Sequence, residues 1–581
     1  MKSLRLWIVV AALVVAGSLG APYAQQWDMG PVNRVISWFT GNYNLAEFGA
    51  KCDGSSSDAA ALAAANTAAA ARGGGTIWVP LNCTTGSTIT VGAGVTFRGT
   101  GVLKKPVDTS NGDATGTPLA LAYSHVKATA NNLTVFELVD NGASVQDMAI
   151  ETVTNTNTSG CAISISNGEM ALVQNVQVNG AFVAFCASAV QAKIQHSFAF
   201  NPKSATVAPG DEPATSSGRC FKITGGTNVY LYYNFCRGVS ASFQPYAAIE
   251  VTGGGGHVLT GNQAVYPGNG IVVAPTATTM TWIFTNANVM DTGLGTGLLI
   301  QTATSGGLVG LASTGDWLAS FTRDGVKTVK GASTFLDDVR LVAPTIRSNS
   351  RHGVNFASGD NLALLDGAIC FNSSGAANTY DGVNVGTGAA GVKIEGNTIG
   401  GCGWASTSAV TPTQRYAVNT AASTISITSN SFVENVSNTI NYGATPTAKY
   451  VRLNLGVIDD DLAAWTAFTP VVTCGSGSLT SYTATGRHRR DQGTSKTNFV
   501  EFKISVTTLG TCASYMSFTL PGGTTAQADM ALATAESCNQ GATYAARLTA
   551  GSATTLIQNY AGAVGVTSGS CLSGGGVYEA Q

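Results

Sequence analysis

The sequence predicts an all-β chain: a parallel β-helix, or solenoid, capped by a short N-terminal helix and followed by an antiparallel β-sandwich. Three observations predict it. A hexamer (apolar, two variable residues, Asn or apolar, one variable, apolar) returns at offsets of 28, 58, 28, 25, 24, 28, 28, 30 and 33 residues, the mark of a repeat architecture. Apolar residues alternate over short runs and never hold a helical period for long. Charged residues make up only 11% of the chain and Gly numbers 70, yet 44% is hydrophobic, which suits stacked strands with tight turns and not disorder.

The elements follow in chain order. Residues 1–24 begin "MKSLRLWIVVAALVVAGSLG", two cations and then an apolar run from Leu6 to about Ala21, shorter than the ~20 residues a spanning helix needs. A secretory signal is the first expectation and a retained hydrophobic segment the second. No stable membrane insertion is expected once a signal is removed. Residues 25–43 read as an N-terminal arm. In "NLAEFGAKCDGSSSDAAALAAANTAAAARGGGTIWVP", residues 44–80, a helix is expected from about Asp58 to Arg72, with Ser57 or Asp58 as N-cap and Gly73 to Gly75 as terminator. An open solenoid end exposes apolar core and strand edges. Small alanines would let this helix sit close against the first coil and cover it.

The solenoid is expected over 44–453. Its hexamers start at Val145, Val173, Leu231, Leu259, Phe284, Leu308, Leu336, Leu364, Ile394 and Ile427. The 58-residue offset is close to two periods, so one irregular coil is expected near residue 202. Asn234, Asn262, Asn397 and Asn430 recur at one hexamer position, where a buried amide could bond the next coil's backbone. Twelve cysteines, even in number and without a C-x-x-C, read as disulfides between sequence neighbours or as buried thiols. Cys161 with Cys186 and Cys370 with Cys402 lie near one period apart and could bridge adjacent coils. Residues 454–464 read as a linker. Residues 465–581 carry alternating strands such as "FVEFKISV" between Gly- and Thr-rich turns, as in a sandwich. With 30 basic and 32 acidic residues, nothing favours nucleic acid as a partner.

Residues 44–80 resemble the N-terminal signature of the pectate-lyase-like right-handed β-helix superfamily, a phrase of the type FGA-x-GDG, a helix rich in Asp and Ala, then GGG-T-x-x-x-P. Phe48, Gly49, Ala50, Asp53, Gly54, Asp58, Gly73, Gly74, Gly75, Thr76 and Pro80 match it. With the repeat, the resemblance covers roughly 42–450. Pieces of the C-terminal part, "FTPVV", "YTATGRHRR", "NFVEFKISV" and "SFTLP", resemble the β-sandwich at the tip of phage tail fibres and tailspikes. The resemblance implies a homotrimer, a cell-surface polysaccharide as partner, and a place in a virion tail or outside the cell. It implies polysaccharide binding with glycoside hydrolysis or lyase chemistry. The alternatives are a non-enzymatic receptor-binding fibre and a structural virion component. A leader and disulfides are unusual for a virion protein assembled in cytoplasm.

Polysaccharide hydrolysis needs two carboxylates at a spacing that sets the stereochemical outcome. Aligned by hexamers, Asp338 and Asp366 share one position on adjacent coils, and Asp337 and Glu395 share the preceding position two coils apart. These four are the catalytic candidates. Trp317, Arg347, Arg351 and His352 lie within a coil or so in sequence and are the substrate-binding candidates, an aromatic for stacking and cations for a uronate carboxylate. "LDDV" and "RHG" are similar to polygalacturonase motifs, but the Asn-Thr-Asp and Arg-Ile-Lys motifs are missing, so that mechanism is not carried over. Asp291, Asp316 and Asp324 are secondary candidates. No cofactor or metal motif and no G-x-S-x-G elbow is found. Asn435 is a formal glycosylation sequon. Arg487, His488, Arg489 and Arg490 form a basic run, read as a solvated strand end.

Overall fold

The computed structural model describes residues 40–101, 124–152, 157–200, 202–206, 213–238, 243–276, 278–302, 305–402, 412–437, 440–455, 465–490, 497–523, 525–526, 530–537, 543–558 and 567–579. The expected segment 1–24 and most of the expected linker lie outside them. The chain divides into two compact units after Thr447.

The first unit is a right-handed parallel β-helix. Most coils contribute three short strands, two of which merge into one in Ser144–Glu151, Leu172–Asn179 and Val354–Leu365. In one coil they are Gly255–Thr260, Gln263–Val265 and Asn269–Val273. The next coil repeats them as Met280–Asn286, Val289–Asp291 and Leu298–Gln301. Like strands pair in parallel from coil to coil, so three continuous faces result, numbered one to three in chain order. Leu259, Ala264 and Ile271 point inward and are fully or almost fully buried, as strand alternation requires of a tube with a dry interior. The irregular coil is the expected one. Val173 pairs with Ile194, and Ile194 with Leu231, 37 residues later in sequence.

The helix runs Ala59–Ala70 and buries Ala61, Leu62, Ala65 and Ala69. Those spacings of three and four place them on one stripe. The stripe sits close: a Cβ added to Gly92 would lie 2.9 Å from Ala70 Cβ, and the Gly92 N–H donates to Asn66 Oδ1 at 3.0 Å. Asp58 stands at the N-cap position but its side chain does not cap the helix. Its carboxylate instead accepts the N–H groups of Lys51 (2.8 Å), Cys52 (3.1 Å) and Thr84 (2.9 Å), tying the entry loop to the first coil. A strand not foreseen, Asn42–Asn44, pairs with Gly75–Trp78.

The amides at the recurring hexamer position form a ladder beneath the corner between faces one and two. Asn234 Nδ2 donates to Asn262 Oδ1 (3.0 Å), Asn262 to Asn288 (2.9 Å), and Asn288 to Asp316 Oδ1 (2.9 Å). Asn397 donates to Asn430 in the same way (3.0 Å). Hydrogen bonding satisfies each amide where water is absent. Among the described residues, five disulfides join cysteines adjacent in sequence: 52–83, 161–186, 220–236, 370–402 and 474–512. The two expected coil-to-coil bridges are among them, with Cα separations of 5.9 and 5.7 Å.

The pairing register corrects the hexamer alignment in the middle of the solenoid. Leu259 pairs with Thr285, Thr285 with Ser313, Ser313 with Leu341, Leu341 with Leu364, and Leu364 with Ile394. The starts read at Phe284, Leu308 and Leu336 are therefore out of register. The cause is Asp316, which takes the ladder position and is buried. Its Oδ2 accepts the hydroxyls of Ser313 (2.6 Å) and Thr285. Two normally apolar positions are polar because a buried carboxylate needs donors, and a search for apolar repeats slides past them.

The second unit is an antiparallel nine-stranded sheet. Val500, Phe502, Ile504, Met516, Phe518, Leu572 and Tyr578 form its core. The basic run lies at the end of strand Ser481–Arg490, with Arg487 and Arg489 both over the Trp465 ring, 4.7 and 5.0 Å from its centroid.

Candidate functional site

The true register redistributes the candidate acids. Asp337 pairs with Asp360, not with a position near Glu395, and the next residue, Asp338, aligns with Asn361. Both stand at the start of a face-one strand. Asp337 Oδ1 accepts from Asn361 Nδ2 at 2.8 Å, and Asp338 pairs with Arg340 at 2.7 Å. Asp366 aligns one residue beyond Val342 and Leu365, at the corner where face one ends. Five residues at ~3.3 Å each put the Asp338 position roughly 16 Å from that corner, beyond the separation of up to about 9.5 Å that a glycosidase pair uses. Asp338 and Asp366 therefore do not share one hexamer position, and the four acids form two separate pairs.

Asp366 and Glu395 are brought together. The Asp366 N–H donates to the Glu395 carbonyl at 2.9 Å, so the two residues occupy neighbouring coils. A Cβ on Gly396 would fall 2.1 Å from Asp366 Oδ1. The exposed carboxylate thus lies flat over that glycine, where φ is +71° and any side chain would both strain the backbone and collide. Lys393 forms an ion pair with Glu395.

Trp317 and Arg347 lie on the adjoining face two. Trp317 opens its strand, and the Arg347 guanidinium sits 5.8 Å from the Trp317 ring centroid. This is a cation over an aromatic face. Arg351 and His352 fall on the far side of face two, in the turn leading to face three. The Arg351 N–H donates to the Arg323 carbonyl at 3.1 Å, so two arginines stack on successive coils. The His352 ring is mostly buried. Its Nδ1 accepts the Asp381 backbone N–H at 3.0 Å, which leaves the proton on Nε2. Burial pulls the His352 pKa down to about 4, against the nearby Asp381 carboxylate. Asp381, fully buried, holds Arg415 through two contacts of 3.0 Å. Asp381 and Arg415 escaped the sequence reading. Their 34-residue separation was the available signal, since it is about one coil.

Asp316 and Asp324 are buried, and burial pushes both carboxyls above the usual range despite their hydrogen bonds. Each terminates an amide ladder. Asp324 accepts from Asn355 at 3.2 Å, and Asn384, Asn419 and Asn441 continue that ladder outward along face three. Cys52, Asp58 and Cys83 converge as metal ligands would, but the cysteines are bonded to each other and the carboxylate is occupied by three N–H groups.

No family model and no curated protein matches the chain. Among solved structures, it is similar to the tailspike protein of E. coli bacteriophage HK620 in complex with a pentasaccharide, at 9% identity, covering 94% of each chain with a TM-score of 0.48. It is similar to the Dettilon tailspike protein at 12% identity, covering 94% of this chain and 95% of that one, TM-score 0.40. It is similar to the A-module of an Azotobacter vinelandii mannuronan C-5 epimerase at 16% identity, covering 71% of this chain and all of that one, TM-score 0.42. Similarities this distant carry no argument about what this chain binds; the chain itself folds as a right-handed parallel β-helix followed by an antiparallel β unit.

Proposed function

We propose that the protein binds a polysaccharide along the corner between faces one and two and cleaves it there with Asp366 and Glu395. One observation carries this reading: Asp366 and Glu395 occupy neighbouring coils where face one ends, and the adjoining face two carries Arg347 one coil before Asp366 and Trp317 two coils before it. One coil step of ~4.8 Å is close to the ~5–5.5 Å carboxyl spacing of retaining glycosidases. In this reading Asp366, exposed and in no ion pair among the described residues, is the nucleophile or base. Glu395, held by Lys393, is its partner. Trp317 stacks on a sugar ring, and Arg347, Arg351 and His352 offer donors from face two and its turn. Asp337 and Asp338 contribute from the far edge of face one, outside the bond-breaking pair.

We assign the protein to the outside of a cell or to a virion tail, as a homotrimer. The five disulfides support an oxidising compartment. Size in solution against the 59.1 kDa chain mass tests the trimer. The Lys393–Glu395 ion pair favours a second reading, a receptor-binding fibre that holds glycan without cutting it. Incubation with capsular, O-antigen and pectic polysaccharides separates the two. New reducing ends that vanish in Asp366→Asn and Glu395→Gln support hydrolysis. Unsaturated uronates mean elimination instead, and binding without either product means the fibre.

A further inference from the structure

We infer that Trp282 and Phe284 form a sugar-binding platform on face one, apart from the corner that carries Asp366 and Glu395, and that it takes two successive pyranose rings of one glycan chain by their C–H faces. The inference does not rest on the proposed cleavage.

The backbone gives the first sign. Near the start of face one, Asn228, Gly256, Trp282, Gly310, Asp338 and Asn361 occupy one position on successive coils. All six have left-handed backbone, with φ of 55, 67, 54, 84, 56 and 51°. Gly, Asn and Asp tolerate that conformation, whereas a bulky side chain is strained in it. Trp282 is the large residue in this column, and it is 47% exposed. A ring so exposed gains little from the core to offset its strain. Strained backbone of this kind collects at binding sites.

The rings give the second sign. A Cβ added to Gly310 would lie 2.7, 2.9 and 3.1 Å from Cε3, Cδ2 and Cζ3 of Trp282. These are three bonded ring atoms, and such similar distances mean that the ring covers the glycine with its face. Gly310 is buried beneath it. Phe284, 41% exposed, lies within 10° of parallel to Trp282, with the centroids 6.2 Å apart. On the neighbouring coils, Gly256 and Gly310 flank Trp282, and Val258 and Ala312 flank Phe284, so no large side chain stands against either ring. The patch is short. One coil beyond Gly310 and Ala312, Arg340 is held by Asp338 at 2.7 Å. In the other direction, one coil before Val258, the Tyr230 ring carries Lys193 at 5.9 Å.

Size and chemistry select the occupant. The exposed parts of the two side chains come to roughly 200 Å², against the ~800 Å² each partner gives to a stable protein interface. That is too little to hold a second copy of the chain and enough for two sugar rings. A pyranose stacks its C–H face on an aromatic ring and turns its hydroxyls sideways. Thr281 and Asn286, exposed at the two ends of the same strand, offer a hydroxyl and an amide to those groups. Three coil steps, roughly 14 Å along the tube, separate Trp282 from the coil of Asp366, which stands at the far end of that face. Sugar rings on the platform therefore do not touch the two acids.

The test uses the full chain and fragments of cellulose, laminarin and galactan, about two to six rings long, with affinity read by titration calorimetry. At least one series is expected to bind, equally well to wild type and to Asp366→Asn. Trp282→Asn puts in the residue that the column already holds at Asn228 and Asn361, so the fold accepts it. It is expected to weaken binding about tenfold with no fall in melting temperature, and Phe284→Ala is expected to weaken it about tenfold as well. Trp282→Tyr should stay within about threefold of wild type. Wild-type affinity in both Trp282→Asn and Phe284→Ala, or no binding by any series, overturns the platform. So does a smaller assembly in sedimentation of Trp282→Asn, which would give the rings to a partner copy. A melting temperature lowered by more than about 5 °C in that variant overturns it too, by making Trp282 a packing residue. Cleavage that is lost in Asp366→Asn but kept in Trp282→Asn leaves the proposed function standing whatever becomes of the platform.

Discussion

Asp316 is the residue on which the interior turns. It ends the ladder of amides, takes two hydroxyls and an amide, and has no cation beside it among the described ion pairs. Burial raises its pKa, so its ionised form is less favourable in the fold than in the unfolded chain. Stability from this group is therefore greatest below the ordinary carboxylate pKa and is lost as pH rises through the raised value. Asp316→Asn should melt above wild type at pH 8, with the gap closing toward pH 4, as read by calorimetry. His352 behaves in the opposite sense. Its folded pKa of about 4 lies below the unfolded 6.5 because burial opposes the charge. Unfolded chains bind the proton first, so stability falls as pH drops from about 6.5 to about 4, by up to roughly 3 kcal/mol. His352→Gln should flatten that slope in denaturant melts at pH 7 and pH 4.5. Neither behaviour was legible in sequence, where Asp316 and His352 read as possible groove residues. Their burial depends on which side of a coil they face.

Among elements, the capping helix was the most legible. Alanines, a preceding acidic residue and a following glycine run marked it to within two residues at each end. Its packing was legible as well, since only small side chains permit the approach to Gly92. Ala65 on the same helix is fully buried. Ala65→Glu should cost about 3 kcal/mol and expose the solenoid end, detected as a lower melting temperature with increased light scattering. Other elements were legible in kind but not in alignment. The hexamer search found the strands of face one, yet placed Asp338 on the wrong coil position. Apolar matching is blind where Thr285 and Ser313 serve Asp316. Correct register moved Asp338 away from Asp366, while Asp366 and Glu395 stayed on neighbouring coils as the Leu364 and Ile394 starts had them.

For the whole molecule, the disulfide pattern makes the sharpest claim. Each described bridge joins sequence neighbours, and the bridge from Cys370 to Cys402 joins adjacent coils where face two ends. Closing a loop of 32 residues limits the unfolded chain, so the Cys370→Ser, Cys402→Ser double variant should lose about 2–4 kcal/mol. Chemical denaturation of oxidised protein checks it. The sequence by itself determined the solenoid, its period, its cap and the change to antiparallel strands near its end. Those follow from local alternation, turn residues and spacing, which the chain carries within one or two coils. Only tertiary structure decided which carboxylates share a corner and which acids are buried. Coils vary in length, and a parallel strand accepts several registers until buried polar groups on the next coil find their partners.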